Sequence, residues 1–269
     1  MSLNLGIIAS SRSSAPAAAL LLDTYPGAAA AYSLRKLRTA YTGAAIRVRR
    51  SSDNTETDIG FNGGGGLDTT ALTTFVGANS GFITIWYDQS GNAKNLIQTT
   101  TANQPSIIIA GVNNIVNNKI SIFFDGSNDS MSNTTLNALQ TSLSLFEVFK
   151  INDASIFVVN TINTQYNMAG NSGGGGGADS LTILSRYKNS ILTISSTQGQ
   201  VWTLFNTNAQ ILCSQFINTT GNITSFGISN FPGGWNLTGY YQEVILYPTS
   251  QTSNRTAIET NINSYYTIY

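Results

Sequence analysis

The stretch that decides the fold contains AAIRVRRSSDNTETDIGF at 44–61, LDTTALTTF at 67–75 and ITIWYDQSGNAKNLIQ at 83–98. In IRVRR, apolar and basic residues alternate, which predicts a strand with one apolar face. The segment SSDN that follows has the composition of a turn. Asp68 is a suitable N-cap for a short helix over TTALTTF. The third segment predicts a strand that ends in the polar turn DQSGN, so the stretch alternates strands and turns around one short helix.

Composition limits the possible functions. The chain has 269 residues, of which 41% are apolar and only 10% are charged, and its formal net charge is zero. This balance gives no general attraction to nucleic acid or to an anionic membrane. There is no histidine, which excludes Ser-His-Asp triads, Cys-His dyads and imidazole metal sites. Cys213 is the single cysteine and lies in the apolar run AQILCSQF, so we expect it to be buried.

The N-terminal sequence MSLNLGIIASSRSSAPAAALLLD does not match a secretory signal, because it lacks a basic start and its apolar patches are short. No run in the chain reaches the roughly 20 apolar residues that a membrane-spanning helix needs. We therefore expect neither export through a signal peptide nor insertion into a membrane. An exterior type of composition without an export signal is typical of a protein that leaves its cell by lysis in a phage particle.

Strand patterns with turn signals about every ten residues predict an all-β sandwich or barrel. Helices are expected at 15–25, at 28–41 and in the segment after Ser253. We divide the chain into an N-terminal arm at 1–27, a possible attachment segment, and a β-sandwich domain at 28–269. Beyond the opening stretch, strands are expected at 115–116, 119–124, 143–150, 154–160, 181–187, 190–195, 201–205, 210–217, 222–228 and 239–247.

The first third of the chain, from Asp23 through WYDQSGN to NLIQ, resembles the catalytic domain of arabinofuranosidase B. The remainder resembles concanavalin A-like jelly rolls of the laminin-G-like kind, through KISIFFDGSNDSM and through YYQEVILYPTSQTSNRTAIETNINSYY. Both resemblances imply the same fold, a concanavalin A-like two-sheet β-sandwich with short N-terminal helices and a C-terminal helix. The opening GIIASSRSS also resembles uncharacterised phage structural proteins.

The resemblance to arabinofuranosidase B implies a retaining glycosidase with two carboxylates. It places the nucleophile on a strand near 184–194 and the acid/base in the turn 226–230, where Asn230 stands at the position of the family's aspartate. Between Asp179 and Glu243 the chain has no Asp or Glu. An amide cannot act as a general acid, so we expect that the catalysis of the family is lost and that the protein is not an enzyme.

Other acids remain as candidates, and each lies in or beside a turn signature. Asp and Asn at such places usually bond backbone amides, so we favour a structural role for them over a catalytic one. The segment DGSND at 125–129 also has oxygen-rich spacing compatible with Ca²⁺, although it lacks a complete calcium motif. The basic cluster within 35–50 is either a phosphate or acidic-sugar site or, as we favour, a set of ion pairs with the acids that follow. The acids considered are Asp53, Glu56, Asp58, Asp88, Asp125 and Asp129.

The predicted carbohydrate-binding residues are Trp235, in the loop FPGGWN, with Asn230 and Tyr187. We expect a non-enzymatic phage virion protein on the particle exterior, such as a head fibre, decoration or tail-adhesion subunit. Its expected partners are other virion proteins, a host-surface glycan and further copies of itself, for example as a trimer; no nucleic acid, metal or cofactor is expected. The alternatives are a glycoside hydrolase of the arabinofuranosidase type and a standalone lectin.

Overall fold

The computed structural model describes residues 19–140, 142–152, 156–163, 165–174, 176–177, 183–193, 197–207, 209–217, 221–229 and 236–269. Its helices are α1 (Leu21–Thr24), α2 (Thr69–Val76), α3 (Gln198–Phe205) and α4 (Arg255–Tyr266), with a 3-10 turn at Thr101–Asn103. Its strands are β1 (Ala30–Ser33), β2 (Ile46–Arg50), β3 (Glu56–Ile59), β4 (Gly81–Trp86), β5 (Leu96–Ile97), β6 (Ser106–Ile109), β7 (Val112–Asn113), β8 (Ile115–Val116), β9 (Lys119–Ile120), β10 (Ile122–Asp125), β11 (Met131–Asn133), β12 (Ala138–Gln140), β13 (Leu143–Ile151), β14 (Ile156–Ile162), β15 (Gln165–Asn171), β16 (Ile183–Lys188), β17 (Ile191–Thr193), β18 (Gln210–Ile217), β19 (Gly221–Ile223), β20 (Phe226–Ile228) and β21 (Thr238–Tyr247).

The strands form two antiparallel layers that diverge at β4. One layer runs in the order β3-β2-β4-β6-β10-β21-β13-β18-β16-β17. The other runs β4-β5-β11-β20-β14-β15. Strand β4 pairs with β6 through Gly81 and Phe82, and with β5 through Ile85 and Trp86. Its two ends therefore belong to different layers, which confirms the predicted two-sheet β-sandwich.

Two apolar clusters stabilise the fold, one between the layers and one beneath the helices. The main core lies between the sheets and takes side chains from both, among them Phe149 of β13 and Ile228 of β20. The second cluster lies on the opposite face of the first layer, where α1 and α4 cover strands β13, β18 and β21. These strands are therefore apolar on both faces over part of their length, and Cys213, which is fully buried, contributes to the main core as expected.

The helix expected at 28–41 is wrong, because residues Ala30–Ser33 form strand β1. This strand pairs antiparallel with β21 and is buried on both faces. The backbone N–H of Ala31 also donates to Asp88 Oδ1 at 2.8 Å. A run of alanines satisfies a helical pattern and a doubly buried strand equally well, so the distant partner strand decides the conformation.

The strand expected at 201–205 is also wrong, since these residues lie in α3. Thr197 caps the helix by accepting from the backbone N–H of Gln200, and the Gln200 side chain accepts from the Thr197 N–H in return. This reciprocal capping box is visible in the sequence as Thr-x-x-Gln. The apolar content of this segment suggests a strand, whereas the capping box before it identifies the helix. By contrast, Asp68 caps α2 as predicted, accepting from the Ala71 N–H at 3.0 Å.

Candidate active site

Four of the acids that the structure describes are engaged in ion pairs. Arg35 and Glu243 form a buried bidentate pair, with Nε to Oε2 at 2.7 Å and Nη2 to Oε1 at 2.9 Å. Within the basic cluster at 35–50, Arg47 and Arg50 bind acids that follow closely in the chain, as favoured from the sequence, whereas Arg35 binds the distant Glu243. The carboxylates in these surface pairs are bound to arginine and so are not available as catalytic groups. The further pairs are Arg47 with Asp58, Arg50 with Asp53, and Arg255 with Glu259.

Asp88, the acid of WYDQSGN, is a turn-former as the sequence predicts. Its side chain is buried and accepts from the backbone N–H groups of Ala31, Ser90 and Lys94 at 2.8–3.0 Å. It also accepts from the Ser90 hydroxyl at 2.7 Å. A carboxylate that satisfies several backbone donors holds the turn against strand β1. Asp88 therefore has a structural role in this turn.

A pocket of about 390 Å³ opens beside the turn at 125–129, between the end of β10, strands β4 and β6, and the 3-10 turn. Phe82 and Phe123, both half-buried, lie in its wall. Asp125 is exposed at its edge, whereas Asp129 is only 6% exposed. The pocket thus combines aromatic surface with two carboxyl groups, and its volume lies within the range of small-molecule sites. Its remaining lining residues are Ser80, Thr101, Ala102, Gln104, Ser106 and Ile109.

The turn positions its two acids through hydrogen bonds. The backbone N–H of Asp125 donates to Asp129 Oδ2 at 3.0 Å, and the N–H of Ser127 donates to Asp125 Oδ1 at 2.8 Å. Gly126 has φ +82°, and a Cβ there would lie 1.9 Å from Thr238 Oγ1. The turn therefore requires glycine at this position. The structural role expected for both aspartates is confirmed, but the turn also brings them to the pocket.

Burial makes the carboxyl group of Asp129 an unusually weak acid. Desolvation, followed by the charge of Asp125, raises the pKa of Asp129 to about 7, and the hydrogen bond from the Asp125 N–H opposes this only in part. A carboxyl group with such a pKa is largely protonated in mildly acidic solution and can donate a proton. The described pocket therefore holds a proton donor next to a second carboxyl group, the combination on which glycoside hydrolysis depends.

A second polar group lies inside the sandwich, and we call it the interior polar cluster. Glu147 of β13 accepts from the Tyr241 hydroxyl at 2.9 Å and from Asn160 Nδ2 at 2.8 Å, and Gln215 links it to Arg186. Burial raises the pKa of Glu147 to about 7, against the hydrogen bonds and the Arg186 charge that lower it. All five side chains are buried. The cluster is enclosed, so a sugar ring has no place beside Glu147.

The strand implied as the nucleophile strand is observed as β16 and β17. It carries Arg186, which points into the interior polar cluster, and Lys188, whose Nζ donates to the Leu204 carbonyl. The described part of this strand pair carries no acid. Tyr187 is half-buried; its ring contacts Phe216 edge-on, and the Arg255 guanidinium lies 3.9 Å from its centroid. A sugar-binding role for Tyr187 stays a prediction.

Asn230 and Trp235, the other predicted carbohydrate-binding residues, lie outside the described residues. The structure instead identifies two groups that sequence reasoning missed, the Asp129 pocket and the interior polar cluster. The pocket depends on Phe82, which is distant in sequence from Asp129, so no local pattern reveals it. The described residues contain no group of three or more Cys, Asp or Glu side chains placed to hold a metal ion. No described helix is both long and apolar enough to cross a membrane.

Comparison with known proteins identifies relatives of this chain. The family model "Alpha-L-arabinofuranosidase B, catalytic" matches residues 22–128. A probable alpha-L-arabinofuranosidase B from Aspergillus flavus is 42% identical over 74 residues, which are 27% of this chain and 15% of that protein. The corresponding protein from Aspergillus clavatus is 37% identical over 102 residues, which are 36% of this chain and 20% of that protein. The matches thus span about a fifth or less of these relatives.

Solved structures extend the likeness to most of the fold. A GH54 α-L-arabinofuranosidase soaked with a cyclic sulfate inhibitor superimposes with a TM-score of 0.61 at 18% identity. An arabinofuranosidase complexed with arabinofuranosyl-alpha-1,2-xylobiose gives a TM-score of 0.58 at 16% identity. Each superposition covers 90% of this chain and 64% of the other chain. At this level of identity the superposition establishes the fold.

These findings overturn the expectation of a non-enzymatic virion protein on a particle exterior. The matched family is that of the arabinofuranosidase B catalytic domain, and the named relatives are fungal arabinofuranosidases, which are enzymes and not virion components. The expectation failed because it treated two lost carboxylate positions as proof of lost chemistry and gave weight to a general likeness of the N-terminal sequence. The predicted resemblance itself is confirmed: the chain has the fold of the arabinofuranosidase B catalytic domain, and its residues 22–128 match that family directly.

Proposed function

We propose that this chain is a glycoside hydrolase that acts on α-L-arabinofuranosides, with Asp125 and Asp129 as its pair of carboxyl groups. The observation that carries the proposal is the match of residues 22–128 to the arabinofuranosidase B catalytic domain. The matched range includes β4, β6 and β10, whose side chains wall the Asp129 pocket, and it reaches into the turn that bears both acids. The matched range and the pocket thus overlap. The resemblance itself implies the family's carboxylates near 184–194 and at 226–230, where this chain has no Asp or Glu, so the pair Asp125 and Asp129 rests on the pocket and not on the family's positions.

Elimination among the described acids supports this pair. Glu243, Asp58, Asp53 and Glu259 are held by arginines. Asp88 and Asp68 bond backbone amides outside the pocket, and Glu147 is enclosed in the interior polar cluster. Glu56 is exposed, accepts from the Thr84 hydroxyl and also lies outside the pocket lining. Asp23 borders another cavity but is the single acid in its lining, next to Arg38. Hydrolysis of a glycoside needs two carboxyl groups on either side of one bond, and the Asp129 pocket supplies two.

The roles follow from the environments of the two groups. Asp129, whose pKa is raised to about 7, is protonated in mildly acidic solution and donates its proton to the glycosidic oxygen as the bond to the leaving group breaks. Exposed Asp125 supplies the second carboxylate, which stabilises the positive charge that develops at the anomeric carbon. Water then adds to that carbon and gives its proton to the ionised Asp129, which restores both groups. The half-buried rings of Phe82 and Phe123 offer apolar surface to the sugar and exclude part of the water from the pocket.

The test is hydrolysis of 4-nitrophenyl α-L-arabinofuranoside by the full chain. We expect release of 4-nitrophenol by the wild type and a large loss of it in Asp125→Asn. Because 4-nitrophenolate leaves without a proton, the loss of about 10²–10⁴-fold expected for Asp129→Asn is measured on an alkyl α-L-arabinofuranoside. Asp58→Asn is the matched control, since it removes a surface carboxylate that pairs with Arg47 away from the pocket. Glu147→Gln tests the interior polar cluster separately. Absence of turnover by the wild type, or full activity of both pocket variants, would contradict the proposal.

A further inference from the structure

A row of side chains crosses the sheet beside the pocket, and we call it the cross-strand row. Its members lie directly opposite one another on six neighbouring strands of the first layer, so the row is set by strand register and not by sequence proximity. Five strand spacings of about 4.8 Å give it a length of roughly 24 Å. The members are Phe82 of β4, Ser106 of β6, Phe123 of β10, Tyr240 of β21, Lys150 of β13 and Gln210 of β18.

The cross-strand row faces away from the main core. The residues next to its members along each strand, among them Ile83, Phe124 and Tyr241, belong to that core, and side chains alternate between faces of a strand. Helices α1 and α4 cover a different part of the same outer face. Phe82, Phe123 and Tyr240 are consequently only half-buried. Three aromatic rings that keep part of their surface in solvent on one sheet face are available to a ligand.

The middle of the row is a preformed aromatic surface. The ring centroids of Phe123 and Tyr240 lie 4.9 Å apart at an interplanar angle of 42°. Lys150 Nζ lies 5.6 Å from the Tyr240 centroid and so orients that ring by a cation–π contact. Rings fixed by their neighbours lose little freedom when a ligand stacks on them, which favours binding.

The two ends of the row are polar and concave. At one end lies the Asp129 pocket. At the other, a cavity of about 350 Å³ is lined by Lys150, Gln210 and Asn117 among others. Gln210 Oε1 is buried and has no hydrogen-bond partner among the described residues, although Gln210 Nε2 donates to Gln242. A buried acceptor without a donor is costly, and a hydroxyl group from a ligand would satisfy it.

We propose that the cross-strand row binds a neutral oligosaccharide chain that runs from the Asp129 pocket to Gln210. This inference rests on the proposed function, because it extends the same pocket to a substrate longer than a single sugar ring. Aromatic rings bind the apolar faces of sugars, while amide, hydroxyl and ammonium groups bond their hydroxyls. The carboxyl groups of the pocket disfavour an anionic ligand at that end. Several sugar rings fit along the length of the row.

The test is a binding measurement by titration calorimetry on the Asp129→Asn variant of this chain, so that the ligand stays intact. We expect arabinotetraose to bind more tightly than arabinose, and Tyr240→Leu in that background to weaken tetraose binding about five- to tenfold while arabinose binding changes little. Leucine keeps apolar bulk, and Tyr240→Phe is the conservative variant expected to retain affinity. Tyr87→Leu, at a half-buried tyrosine outside the row, is the matched control.

Equal affinity of the tetraose for Tyr240→Leu and its parent would overturn the row as a binding surface. So would absence of tetraose binding, or a preference for an acidic chain such as oligogalacturonate over the neutral one. The binding measurement does not depend on turnover. Oligosaccharide binding can therefore be measured even if the chain does not hydrolyse arabinofuranosides. If the chain bound arabinotetraose through Tyr240 but released no 4-nitrophenol, the cross-strand row would be supported as a binding surface and the proposed hydrolase function would be contradicted.

Discussion

The carboxyl group of Asp129 accepts a hydrogen bond of 3.0 Å from the backbone N–H of Asp125, so one tight turn holds a buried acid beside an exposed one. The bond stabilises the ionised form of Asp129, whereas desolvation and the charge of Asp125 oppose ionisation and prevail. The turn therefore both closes the end of β10 and keeps a proton in the pocket.

The pH dependence of hydrolysis follows from Asp129. Because the pKa of this group is raised to about 7 and its protonated form is the active one, we expect kcat to fall as the pH rises through about 7. The check is a pH–rate profile with an alkyl α-L-arabinofuranoside, whose leaving group needs a proton as 4-nitrophenolate does not. Asp129→Asn should lose most of its activity, and the remaining activity should not fall as the pH rises through about 7. A wild-type rate that rises steadily from pH 6 to pH 9 would exclude Asp129 as the proton donor.

Stability should depend on pH through Glu147. Its pKa is raised from 4.5 to about 7 in the folded chain, so the folded state holds its proton more tightly than the unfolded state does. This contribution is complete below about pH 4.5 and is lost as the pH rises through about 7, at a cost on the order of 3 kcal/mol. Glu147→Gln, which cannot ionise, should show a smaller fall in Tm between pH 5 and pH 8. Parallel Tm profiles of the variant and wild type would contradict this expectation.

The buried pair of Arg35 and Glu243 connects the first layer with the segment that follows β1. Its two hydrogen bonds are joined by one from the Ser33 hydroxyl to Glu243 Oε2 at 2.7 Å. Arg35→Met leaves a buried carboxylate uncompensated, so we expect a loss of about 3–5 kcal/mol in the free energy of unfolding, measured by urea denaturation. The double variant Arg35→Met with Glu243→Gln should recover part of that loss. Additive effects of the two substitutions would show that the pair is not coupled.

The turn of WYDQSGN should be sensitive to Asp88. Asp88→Ala removes the acceptor of three backbone N–H groups in a buried setting, and we expect it to lower the free energy of unfolding by about 3 kcal/mol or more. Asp88→Asn keeps one acceptor oxygen and should cost less. Equal stability of the alanine variant and wild type in urea denaturation would mean that water satisfies these donors.

The cap of α3 offers a smaller and independent effect. Thr197→Ala removes the acceptor of the Gln200 N–H and should lower the free energy of unfolding by about 1 kcal/mol. Thr197→Ser keeps the hydroxyl and serves as the control. If the serine variant lost as much stability as the alanine variant, the methyl group of Thr197 rather than its cap would be responsible.

The sequence by itself determined the features that depend on near neighbours along the chain. Alternation in IRVRR predicts a one-sided strand, Asp68 precedes a helix that it caps, and the capping box at Thr197 was present although apolar content concealed it. Asp88 and Asp125 were predicted to form turns, and both do. Strand periodicity and caps are local, so these predictions need no knowledge of tertiary contacts.

Only the tertiary structure decided what lies opposite each segment. The pattern of residues 28–41 is compatible with a helix, and the pairing of β1 with β21 is what makes part of it a strand. The sequence identifies Asp129 only as a turn residue, and the pocket it lines exists because Phe82 and Phe123 lie beside it in the fold. The raised pKa values of Asp129 and Glu147 arise from burial among strands far apart in the sequence. Burial and strand register are set by non-local pairing, and for that reason the site emerges from the fold and not from any stretch of the chain.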